Sequence, residues 1–253
     1  MEVNVTPTPP LPQTRNRSAI ALVPAAILVV ILWCVYFLDV GLELDLFRFG
    51  IVPRSFVGLR GIVLSPFLHG DLEHLLNNSV PLLVLGWALY YFFPRVALPV
   101  AFGSWIVSGF WVWLSARTSY HIGASGVVYG LAAFLFTSGL LRKQRTLMGL
   151  SLLVVFLYGS LLWGMFPIFP RISWESHFWG AVAGVAMAFL YRNVPSAVRD
   201  PRPIVWEEDQ EPTDEEGDGP QPPSPEPSPE PWHSTDTWTV NVPGMEKPRP
   251  PER

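Results

Sequence analysis

The sequence predicts an all-α membrane protein, six transmembrane helices in one bundle with disordered termini. Three observations carry that prediction. Nearly half of the residues are apolar and only 15% are charged, a composition that excludes an ordinary soluble domain. The charges are segregated: residues 1–199 hold thirteen Lys/Arg against seven Asp/Glu, and residues 200–253 hold four against fourteen. The net charge of −4 is therefore set by the tail. Finally, six apolar runs lie between short polar turns, each near the length that crosses ~30 Å of hydrocarbon at ~1.5 Å per residue.

Residues 1–17 are polar and Pro-rich, with Arg15 and Arg17 directly before the first apolar run. They predict a short disordered cytoplasmic segment. Residues 18–38 contain no charge. The run is longer than the ~7–15 apolar residues of a signal peptide, and it ends in Trp33, Tyr36 and Phe37, so a retained first span is expected. The connection from Asp39 to Pro66 mixes charges with Leu, Phe and Val and is expected to lie partly in the membrane interface. Five further runs follow, roughly 72–93, 96–115, 125–141, 146–166 and 174–191. Arg15/Arg17, Arg95, Arg142/Lys143/Arg145 and Arg192/Arg199 fall on one side of six spans. That basic bias places both termini in the cytoplasm and the protein, by expectation, in the cell membrane. Residues 18–199 thus form the helical domain. Residues 200–253, with repeated Pro-Glu and Pro-Ser units, are expected to be a disordered acidic cytoplasmic tail whose partner is unknown.

Within the spans, a few polar residues stand out. Ser125 sits in Gly123-Ala124-Ser125-Gly126 at the threshold of an apolar run. Only ~25 Å of helix separates it from Leu141, so it lies below the outer surface, and the preceding loop, 118–123, must dip inward. Irregular backbone at that depth is tolerated only beside protein or a water-filled cavity. Helix packing alone is the plainer reading of a small-residue serine. His177 opens the last span, and an ionisable residue there marks a functional site. Gly180 and Gly184, at i+3 and i+7, share its helical face and allow close approach of another backbone. His74 and Asn78 share a face at the start of the second long run. Asn77 points about 100° away, and Asp71 suits an N-cap.

A serine, a histidine and convergent N–H donors are the parts of an acyl-transfer site. Ser125 is the candidate nucleophile and His177 its general base. His74, Asn78 and the Ser125 N–H are the candidate oxyanion donors. No acid is placed as a third triad member, so a dyad is expected, with Tyr129, one turn past Ser125, stacking on His177. His69 is expected to brace its loop by hydrogen bonding, and His121 is assigned no role. No Cys/His cluster has metal-ligand spacing, so neither metal nor other cofactor is expected. The single Cys34 excludes an intrachain disulfide.

These stretches resemble the rhomboid family of intramembrane serine proteases. The matching residues are His69-Gly70-Asp71-Leu72-Glu73-His74-Leu75-Leu76-Asn77-Asn78, Gly123-Ala124-Ser125-Gly126 with Tyr129, and His177 with Gly180 and Gly184. They occur in the family's order, in the second, fourth and sixth spans, and the resemblance covers roughly residues 18–192. It implies a six-helix bundle, a Ser125–His177 dyad and an oxyanion hole from His74, Asn78 and the Ser125 N–H. It also implies transmembrane proteins as substrates, admitted past the fifth span from the lipid bilayer, and no nucleic-acid partner. One departure lies in the first loop, where many relatives carry Trp-Arg and this chain has Leu59-Arg60. The alternative is a non-catalytic rhomboid-like protein that binds or escorts membrane clients. A multispan transporter is disfavoured, because the runs carry no midplane charges.

Overall fold

The computed structural model describes residues 14–168 and 172–197. Helices account for all of the regular structure there, and the only extended pairing is a bridge between Ile51 and His121. The long helices are α1 (Thr14–Leu42), α3 (Leu72–Phe92), α4 (Ala97–Ser115), α5 (Ser125–Arg142), α6 (Arg145–Tyr158) and α7 (Trp174–Leu190). A short α2 (Arg60–Leu64) interrupts the first loop, flanked by 3-10 turns.

The six-helix expectation is therefore corrected in two respects. The first loop has helical structure of its own, giving seven α-helices among the described residues. In addition, among the described residues only four helices, Asn16–Leu42, α3, α4 and α5, are long and apolar enough to cross a membrane. The run at 146–166 breaks at Tyr158, after which Gly159–Met165 winds as a 3-10 helix. Of the terminal segments expected to be disordered, 1–13 and 200–253 lie outside the described residues. Residues 14–17 instead form the first turn of α1. Arg17 holds that turn by donating to the carbonyls of Tyr91 (2.7 Å) and Ala197 (3.3 Å).

Helix α5 is the centre of the bundle. It buries Val127, Val128, Leu131, Phe134 and Leu135 against α3, α6 and α7. Against α7 the contact is backbone to backbone. A Cβ on Gly180 would strike the Gly126 carbonyl, and one on Gly184 would strike that of Gly130. Small residues at i and i+4 thus allow an approach that any side chain would prevent. The start of α1 and the ends of α3, α5 and α7 lie at one end of the bundle. There, Arg142 donates to the carbonyls of Tyr191 (2.7 Å) and Val194 (3.1 Å).

The first loop is fastened to the opposite end. Arg54 donates to the Ala116 carbonyl at 2.9 Å, and Trp113 to the Ser55 carbonyl at 2.8 Å. Arg60 donates to the Arg48 carbonyl at 3.2 Å and lies over the Phe49 ring. The loop is anchored without the Trp-Arg pair.

Candidate active site

Ser125 is the first residue of α5, its N–H among those a helix leaves without an intrahelical acceptor. The turn before it depends on Gly123, whose φ of +102° is a conformation that side chains resist. Its N–H donates to the Ser65 carbonyl at 2.8 Å. A Cβ on Gly123 would also collide with the His74 ring and come within 3.7 Å of Asn78 Nδ2. The backbone leading into Ser125 therefore lies against both candidate oxyanion donors.

Those donors come from the first two turns of α3. Asp71 caps the helix by accepting the His74 N–H at 2.7 Å. Asn78 is buried and donates one amide hydrogen to the His74 carbonyl at 2.9 Å, leaving its second for another acceptor. Asn77 is exposed.

His177 lies in the first turn of α7 and is buried. Its ring stacks on Tyr129 with centroids 4.1 Å apart and planes 9° from parallel. Nδ1 lies 2.9 Å from the Gly164 carbonyl. A carbonyl only accepts, so Nδ1 carries the hydrogen and Nε2 is the basic nitrogen of the neutral ring. A backbone carbonyl thus occupies the position that an acid holds in a triad. The starts of α5 and α7 abut, since a Cβ on Gly126 would lie 3.3 Å from the Ser176 carbonyl. Among the described residues no hydrogen bond joins Ser125 to His177, a bond that in resting sites is often long.

His69 is buried, and neither ring nitrogen makes a hydrogen bond of good geometry, although the Phe67 backbone lies near enough to act on the ring. Its ring packs edge-on against His74, with centroids 5.0 Å apart. Burial first, and then the neighbouring His74, push its pKa down to about 4.

Sequence reasoning missed several participants. Gly164 is one: a Cβ there would collide with the Tyr129 hydroxyl and lie 3.0 Å from His177 Nδ1. His121, Ser173 and the Arg117–Glu175 pair join the loop before Ser125 to the start of α7. Their partners lie more than fifty residues away in sequence, and only the isolated acid Glu175 at the edge of an apolar run offered a signal. Among the described residues no group of three His, Cys, Asp or Glu could hold a metal ion.

Four membrane-length apolar helices around a buried polar cluster define an integral membrane protein. A model of the Rhomboid domain matches residues 58–194, and the chain belongs to the rhomboid family. It is 36% identical over 198 residues to an uncharacterised protein of Mycobacterium bovis, covering 73% of this chain and 81% of that one. An uncharacterised protein of Mycobacterium tuberculosis matches to the same extent. One from Mycobacterium leprae is 37% identical over 142 residues, covering 52% of this chain and 56% of that protein.

Proposed function

We propose that this protein is an intramembrane serine endopeptidase that cleaves transmembrane proteins through a Ser125–His177 dyad. The His177 ring carries the proposal. Tyr129 fixes its plane and the Gly164 carbonyl its tautomer, on a helix that touches the turn of Ser125. Such an imidazole serves as a general base with no acid behind it. Rhomboid family membership supports the same chemistry.

In this reaction, His177 Nε2 takes the Ser125 proton as Oγ attacks a substrate carbonyl. The oxyanion receives N–H groups from His74, Asn78 and the Ser125 backbone, donors worth ~3–4 kcal/mol each at an oxyanion. Collapse transfers the proton from His177 to the leaving amine and leaves an acyl group on Ser125. Water, deprotonated by His177, then releases it. The site works in the cell membrane with both termini cytoplasmic, and its substrates arrive laterally from the bilayer.

A second reading has one observation in its favour, the missing Ser125–His177 hydrogen bond. Under it the protein binds or escorts membrane clients without cutting them. The test is cleavage of single-span reporter proteins co-reconstituted in liposomes. The protease reading predicts fragments with wild type and none with Ser125→Ala. Equal cleavage by both proteins would eliminate the dyad, and intact reporter that co-purifies with the wild type would favour client binding.

A further inference from the structure

Ser173 stands at the N-cap position of α7, where a serine hydroxyl ordinarily accepts a backbone N–H from the first turn. It makes no such bond. Its Oγ lies instead 2.6 Å from His121 Nδ1 and 2.8 Å from Ser176 Oγ. His121 Nε2 lies 2.9 Å from the Arg117 carbonyl. Because that carbonyl only accepts, Nε2 carries the hydrogen and Nδ1 of the neutral ring accepts from Ser173. Ser176 then donates to Ser173, and the chain runs in one direction. Burial pushes the His121 pKa down, which keeps the ring neutral at neutral pH.

A second link runs beside the first. The Arg117 N–H donates to Glu175 Oε1 at 3.3 Å, its guanidinium lies 3.7 Å from Oε2, and Nη2 donates to the Ile172 carbonyl at 2.7 Å. The backbone of His121 also exchanges hydrogen bonds with Ile51, at 3.0 and 2.9 Å. One residue thus gathers the first loop, the loop before Ser125 and the start of α7.

We infer that His121 is a positioning residue, which through Ser173 fixes the loop carrying Gly123 and Ser125 against the first turn of α7 carrying His177. The inference rests on the reading of Ser125 and His177 as a dyad. The physical need is plain. Nucleophile and base sit on separate helices whose glycine contact fixes their separation, and small misplacements of reacting groups cost large factors in rate. A directional bond between the two segments, close to the reacting side chains, fixes in addition the loop that leads into Ser125.

The test is the rate at which a fluorophosphonate labels Ser125 in the full-length protein in detergent, with thermal midpoints measured in parallel. Ser173→Thr keeps an O–H donor and should label within about twofold of wild type. Ser173→Ala should label about tenfold more slowly, from misplacement of the serine against its base, with its midpoint only modestly lowered by the lost hydrogen bond. Ser173→Val, which neither donates nor accepts, should be as slow as Ser173→Ala. Wild-type rates in the Ala and Val variants would overturn the positioning role and leave the dyad intact. Failure of the wild type itself to label would overturn the dyad, and the positioning role with it.

Discussion

The contact between α5 and α7 and the packing of α6 show two ways of holding a membrane helix. Helix α5 buries eleven of its eighteen residues, and its glycines let the α7 backbone approach. Helix α6 buries four of fourteen, leaving Leu152 72% and Phe156 84% exposed. It loses its α-helical geometry at Tyr158. The proposed nucleophile and base both lie at the tightly fitted contact. A dyad demands fixed geometry, and the closely fitted α5–α7 contact provides it. The two regions meet at Gly164, where the segment after α6 provides the carbonyl that binds His177.

The sharpest way to break this arrangement is to fill the glycine contact. Gly180→Val places side-chain atoms where the Gly126 backbone lies and should cost about 3 kcal/mol or more, with loss of activity, as read by thermal unfolding in detergent and by cleavage. Acid should act on the same half of the molecule. With the His69 pKa at about 4 against ~6.5 when unfolded, the unfolded chain binds the extra proton. The His69 contribution to stability is then full above pH 6.5 and falls by about 1.4 kcal/mol per pH unit down to pH 4, a loss of about 3 kcal/mol. Chemical denaturation across that range should show a slope shallower by about that amount in His69→Gln than in wild type, the remainder belonging to other buried histidines such as His121.

Smaller effects separate the two regions further. Gly164→Ala pushes against Tyr129 and His177 from the periphery. It should cost only about 1–2 kcal/mol of stability while greatly slowing fluorophosphonate labelling. Gly149 on α6 is the counterpart of Gly180, since nothing lies within 4 Å of a Cβ built there. Gly149→Ala should raise stability by about 0.5–1 kcal/mol and leave labelling unchanged. A destabilised Gly149→Ala would mean that α6 is held as tightly as α5.

What the sequence made legible follows from periodicity. Apolar runs located the six long helices to within a few residues at most ends, the end of α6 excepted, because an apolar stretch between polar turns marks a buried or lipid-facing helix. The i, i+4 spacing of His74 and Asn78 and the cap at Asp71 are local, and the structure places these residues together. The close α5–α7 approach was readable from Gly180 and Gly184. The helix in the first loop was not, since Arg60–Leu64 is too short for a periodic signal. The break at Tyr158 had one local signal, Gly159 at the C-cap of α6, inside a run that is otherwise apolar. The His121–Ser173 and Arg117–Glu175 pairs are set by tertiary contact between residues 52 and 58 apart. His69 shows the converse: a histidine beside a polar motif suggests hydrogen bonds, yet its ring is buried with none of good geometry.

The most direct test of the central claim is the site of covalent modification after treatment with a fluorophosphonate, located by mass spectrometry of peptides. The dyad predicts one adduct, on Ser125, in the wild type, and none in Ser125→Ala or His177→Ala variants that remain folded. An adduct on another serine, or undiminished modification of Ser125 in His177→Ala, would contradict it.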